Sequence, residues 1–205
     1  MITIEQMKEI IIKLNFESYM DEYTCGRIFN NSQEIKQKFI FDSGCTKGVL
    51  IPVDDTPYVV KWSLGTYNNE AQREAELYEK AKQLQIERFF PCTEILFTHN
   101  EVVYVLQEKV DTNFSLRQKQ KYSLITKTAT ERMVNKVQED LNKVPHHARQ
   151  VNSTWIKMAL VLYGKKRVKT FCKFVVENGI NDLHGGNIGY IKNKPVVLDF
   201  SGYYR

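Results

Sequence analysis

A chain of 205 residues with a formal net charge of +5 and 42% hydrophobic content fits one domain, or two small lobes sharing a cleft, with apolar residues enough for a core. A pI near 8.9 suits an anionic ligand such as a nucleotide, but falls short of the dense basic face of a dedicated nucleic-acid binder, so nucleic acid is not the expected partner. The four cysteines, Cys25, Cys45, Cys92 and Cys172, include no CxxC pair and no zinc spacing, so reduced thiols in a cytoplasmic protein are expected. The opening "MITIEQMKEIIIKLNF" is not a signal peptide, and no stretch approaches the roughly 20 apolar residues of a membrane span.

Ile4, Met7, Ile10, Ile11 and Leu14 recur at helical spacing, which predicts an amphipathic helix within residues 3–19, followed by a polar connector. "KQKFIFDSGCTKGVLIPVDDTPYVVKW" reads as three strands, Lys36–Asp42, Lys47–Val53 and Tyr58–Trp62. Gly44 and Gly48 fall in the first turn and "DDTP" makes the second. "NNEAQREAELYEKAKQLQ" is a helix of good formers with asparagine available as N-cap. "CTEILFTHN" and "EVVYVLQEKV" form a further hairpin. From Asp111 to residue 150 the chain turns polar and charged, with a helix expected around Thr130–Asn142 and "KVPHHAR" as a break. "STWIKMALVLYGKKRVKTFCKFVVENG" predicts one or two helices ending at Gly179. Two short strands, Gly189–Ile191 and Pro195–Leu198, close the chain.

Chemistry concentrates in "GINDLHGGNIGYIKNKPVVLDFSGYY". Asp182, Asn187 and Asp199 offer oxygen ligands suited to a hard cation such as Mg2+, and a hairpin would bring Asn187 and Asp199 to one end. Surface loops also carry such groups constantly. In "YVVKW" the period-two alternation puts Val59 and Lys61 on one face and Val60 and Trp62 on the other. Both faces are apolar, so Lys61 points into a partly buried space and wants an anion. Glu74, on the apolar face of the following helix, is the candidate partner; Glu70 is a rival, and an ordinary solvated carboxylate is the alternative. Backbone N–H groups of "DSGCTKG" could cradle phosphates, although glycine turns between strands are common.

The order of these parts resembles that of the protein-kinase-like superfamily. The resemblance implies an α+β, bilobal fold: a helical extension over residues 1–30, a β-rich N-lobe with an αC-type helix over 31–110, and a reduced, mainly helical C-lobe over 111–205. It implies ATP and Mg2+ as cofactors. Gly44, Cys45, Thr46, Lys47 and Gly48 resemble the phosphate-covering loop, and Leu50 and Val59 the apolar roof over the base. Lys61 resembles the strand lysine, with Glu74 as its ion-pair partner. "VLQEKV" resembles the hinge, with Gln107 as gatekeeper and the backbone of Glu108 to Val110 facing adenine. "NDLHGGN" resembles the catalytic loop, giving Asp182 as base and Asn187 as metal ligand; "DFSG" gives Asp199 as the main metal ligand. His184 stands where protein kinases carry a lysine, and "DLHGGN" is closer to the small-molecule kinases, so His184 would touch the γ-phosphate or else stabilise the loop.

The sequence also departs from the pattern. Ser43 and Cys45 occupy common glycine places, and Ile180 and Asn181 replace the usual His-Arg, so control through an Arg–phosphate pair is not expected. The chain as given ends after "DFSGYYR", short of the later large-lobe elements. A protein partner or substrate covering that open lobe is therefore expected. Two functions follow: an ATP- and Mg2+-dependent phosphotransferase acting on a hydroxyl, or a kinase-like binding module with little turnover that acts through a partner. Transfer of another nucleotide moiety such as AMP is a third. Elsewhere, Lys165, Lys166, Arg167, Lys169 and Lys173 form a basic run, His146 and His147 lack a third metal ligand, and Tyr203 and Tyr204 read as packing residues.

Overall fold

The computed structural model describes residues 1–65, 69–112, 128–144 and 151–202. The histidine pair at 146–147 and the tyrosines at 203–204 lie outside them. The chain divides into two compact units, one comprising Met1–Glu76 and Cys92–Lys109, the other Leu77–Pro91 and the residues from Val110 onward.

In the first unit, helix α1 (Ile4–Leu14) opens on a capping box in which Thr3 and Gln6 bond reciprocally, and it buries Met7, Ile10, Ile11 and Leu14. The expected polar connector is instead two further helices, α2 (Glu22–Asn31) and α3 (Gln33–Lys36). Asp21 caps α2 by accepting from the Thr24 N–H at 2.8 Å. Only Cys25 and Phe29 of α2 are buried, a stripe too narrow for periodicity to reveal.

Five antiparallel strands follow the order β1-β2-β3-β5-β4. They are β1 (Phe39–Ser43), β2 (Lys47–Pro52), β3 (Tyr58–Ser63), β4 (Thr93–His99) and β5 (Val102–Glu108). One sheet face carries Leu50, Val60, Trp62, Tyr104 and Leu106, and these share a core with the buried side of α1 and with Phe16, Phe29 and Ile35. Phe16 stacks on Trp62 at 4.9 Å.

Helix α4 (Glu70–Gln83) lies between β3 and β4 in sequence. Its first turn is tied to β3, because the Ala71 N–H donates to Ser63 Oγ at 2.9 Å. Ala71 and Ala75, both buried, pack with Val105 of β5. Small side chains at these two positions let the start of α4 lie close to the strand.

The second unit holds α5 (Glu131–Leu141), α6 (Ser153–Tyr163), α7 (Lys165–Glu177) and the hairpin β6 (Ile188–Ile191) and β7 (Lys194–Val197). The long apolar tract is thus two helices, separated at Gly164. Phe89, Phe90, Trp155, Tyr163, Phe171, Phe174 and Phe200 form an aromatic core with Ile180 and Leu183. Trp155 donates to the Val196 carbonyl at 3.1 Å and Tyr163 to the Pro195 carbonyl at 2.8 Å. Both bonds fix β7 on α6 while satisfying buried polar groups.

An antiparallel sheet followed by a helical unit and a short hairpin is the α+β architecture expected. No helix among the described residues is long and apolar enough to cross a membrane.

Candidate active site

Site residues named from the sequence fall into two groups, one in each unit. In the first, β3 places Lys61 directly opposite Val105 of β5. Since Ala71 and Ala75 lie against that same Val105, the residue between them on the helix face, Glu74, comes over Lys61. The Lys61 Nζ donates to Glu74 Oε2 at 2.6 Å, with side-chain exposures of 4% and 0%. Gln107 joins them: its Oε1 accepts from Lys61 at 3.4 Å, and its Nε2 donates to Glu74 Oε2 at 3.2 Å and Thr93 Oγ1 at 3.1 Å. In an environment this dry, charge-assisted bonds hold the ammonium in one place.

The sequence places Lys47 in the phosphate-covering segment but does not reveal the partner of its side chain. Lys47 also reaches this carboxylate, with its Nζ 3.2 Å from Glu74 Oε1 and its side chain 4% exposed. From the sequence, Lys47 is expected at the head of the strand Lys47–Val53 and in the segment whose backbone N–H groups would meet phosphate. Its position at the start of β2 was the available signal: Lys47, Val49 and Ile51 alternate on one face, but only the register with β3 identifies that face as the one bearing Lys61.

That register changes the expectations for Gly48 and Leu50. Lys47 heads β2 as expected, and Gly48 lies within that strand rather than in the turn, which is closed over Cys45 and Thr46 by the Gly44 N–H donating to the Lys47 carbonyl at 2.9 Å. Gly48 stands opposite Trp62, and a Cβ there would lie 2.5 Å from the indole, so its smallness serves the core. Leu50 stands opposite Val60, and Val49 opposite Lys61. Leu50 is fully buried in the core on the other face, away from the side the expected roof requires, whereas Val49 and Val59 lie on the face of Lys61.

At the end of β5, the Glu108 N–H donates to the Cys92 carbonyl at 2.8 Å and the Lys109 N–H to the Pro57 carbonyl at 2.7 Å. Of the segment Glu108–Val110 expected to face adenine, two N–H groups are thus already bonded to carbonyls of the first unit. Val110 opens the second unit, where Asp111 and Tyr190 exchange backbone bonds of 2.9 Å.

In the second unit, α7 ends in a Schellman motif: the Ile180 N–H donates to the Val175 carbonyl and the Gly179 N–H to the Val176 carbonyl. Gly179 has φ +61°, a left-handed conformation that glycine adopts at no steric cost. The chain turns there into a loop pinned on either side of Asp182 by Ile180 and Leu183, both 0% exposed. Asn187 Nδ2 donates to the Asp182 carbonyl at 2.9 Å and to its Oδ2 at 2.7 Å. His184 Nδ1 accepts from the Gly186 N–H at 2.9 Å. In the neutral imidazole the proton therefore sits on Nε2, which lies 3.5 Å from Asp182 Oδ1.

The β6–β7 register pairs Ile188 with Val197, and the Leu198 N–H donates to the Asn187 carbonyl at 3.0 Å. Asp199 thus follows directly on the residue bonded to Asn187, at the same end of the hairpin. Phe200, fully buried against Phe90 at 4.6 Å between centroids, anchors the chain immediately after it. Among the described residues no three His, Cys, Asp or Glu cluster as a metal site. A carboxylate with a carboxamide still suits Mg2+, which takes one or two carboxylates and draws further oxygens from phosphate and water. Because the Asn187 amide nitrogen faces Asp182, its oxygen is the atom left to serve as ligand.

No family model and no curated protein matches the chain. Among solved structures, one titled "Structure of the gentamicin-APH(2")-IIa complex" aligns over 85% of this chain and 69% of its own, at 12% identity and a TM-score of 0.37.

Proposed function

We propose that the chain is an ATP- and Mg2+-dependent phosphotransferase of kinase-like type, acting on a hydroxyl of a protein or small molecule. The buried Lys61–Glu74 ion pair, built from a strand and the helix that follows it, carries this reading. A buried ammonium is expensive unless its charge is used, and phosphoryl transfer depends on fixed positive charge rather than covalent help. On this reading Lys61 binds phosphate oxygens and Glu74 orients it. Gly44, Cys45 and Thr46 cover the phosphates, and Val49 and Val59 pack against the base.

Asp182 accepts or orients the proton of the attacking hydroxyl. Its carboxylate is held by Asn187, and the His184 Nε2–H faces its other oxygen. Asn187 and Asp199 would hold Mg2+, which when bound neutralises charge on the triphosphate. His184 thus acts as a loop-fixing residue beside the base.

The test is transfer of label from γ-labelled ATP to a panel of hydroxyl acceptors, with Asp182→Ala as the comparison. The variant should lose transfer while binding nucleotide nearly as well as the parent. A parent melting temperature unmoved by millimolar ATP and Mg2+ would count against the proposal, because a ligand of the native state must raise it.

A further inference from the structure

We infer that Lys47 is a second phosphate-binding cation of the proposed nucleotide site, able to stand in for Lys61; the inference rests on the nucleotide reading above. Two ammonium groups from neighbouring strands meet one carboxylate: Lys47 takes Glu74 Oε1 at 3.2 Å and Lys61 takes Oε2 at 2.6 Å. The register puts both on one sheet face, since Lys61 stands opposite Val49, two residues from Lys47 on the same strand.

Glu74 already has a charged partner in Lys61 and an amide partner in Gln107. A second ammonium buried to 4% exposure adds a desolvation cost that an apolar side chain at position 47 would avoid. The cost is offset if Lys47 meets a polyanion. Its strand position favours this, because the backbone of residue 47 closes the Gly44–Lys47 turn. The ammonium is thereby tied to the segment expected to cover the phosphates. One carboxylate then orients two cations, and losing either leaves the other in place on Glu74.

Binding of a fluorescent ATP analogue with Mg2+, displaced by unlabelled ATP, tests this without relying on turnover. Lys47→Met and Lys61→Met should each weaken binding by less than about tenfold, and the double variant by about 100-fold or more, the non-additivity expected of two groups sharing one role. Lys47→Arg should restore most of the affinity lost in Lys47→Met, which a role confined to packing would not produce.

If the double variant fails to fold because Glu74 is left charged and buried, two others answer the question. Lys61→Met with Glu74→Gln should keep binding through Lys47, and adding Lys47→Met to that pair should remove it. Loss of binding in Lys61→Met alone, with Lys47→Met indistinguishable from the parent, would overturn the inference and leave the nucleotide reading standing. A parent chain that binds no analogue overturns both.

Discussion

One side-chain amide fixes both ends of Asp182: Asn187 Nδ2 lies 2.7 Å from its Oδ2 and 2.9 Å from its carbonyl oxygen. The bond spans the "DLHGGN" loop and holds the carboxylate against rotation. Asn187→Asp replaces the donor with a second carboxylate, and two ionised carboxylates at this separation repel. The variant should lose about 1–3 kcal/mol at neutral pH, the cost of an unmet bond to a buried acceptor. Urea unfolding of both proteins at pH 7 checks this: a variant as stable as the parent contradicts the geometry.

Glu74 holds two buried cations, so its removal should be felt as stability before it is felt as function. Glu74→Ala leaves both ammonium groups without their carboxylate and should cost about 3–5 kcal/mol, as expected when one member of a buried ion pair is lost. Lys47→Met should cost less, since Lys61 still partners Glu74. Chemical denaturation ranks the two, and the reverse ranking would refute the arrangement.

Gly48 separates a core explanation from a phosphate-loop explanation. A Cβ there would sit 2.5 Å from the Trp62 ring, so Gly48→Ala should destabilise the chain by about 1–3 kcal/mol through overpacking. Gly44→Ala meets nothing within 4 Å and should leave the unfolding midpoint nearly unchanged. Thermal melts of the two variants suffice.

The thiols divide into two classes. Burial pushes the Cys25 thiol up to about 11 and the Cys172 thiol up to about 12, while Cys45 and Cys92 are exposed. Thiolate is the reactive form, so a thiol reagent at pH 8 should modify Cys45 and Cys92 promptly and the other two only on unfolding. Both buried thiols resist ionisation when folded. Their contribution to stability is therefore present below the ordinary thiol value and lost as the pH rises above it. Bound nucleotide should also slow modification of Cys45, which lies in the turn expected to cover the phosphates. Mass spectrometry of the labelled protein reads all of these sites.

Legible in the sequence were the strand order, helices α1, α4 and α5, the α6–α7 tract, the face that Lys61 shares with Val59, and the hairpin that joins Asn187 to Asp199. All of these follow from local periodicity: alternation places Val59 with Lys61, and turn residues bound each strand. Not legible were α2, whose buried stripe is two residues wide, the short α3, and the place of Gly48 inside β2 rather than in the turn. Which face of β2 meets Lys61 follows only from strand pairing, since a one-residue slip exchanges every side chain between faces. From that single choice come the burial of Leu50 in the core, Val49 on the Lys61 face and the ammonium of Lys47 on Glu74.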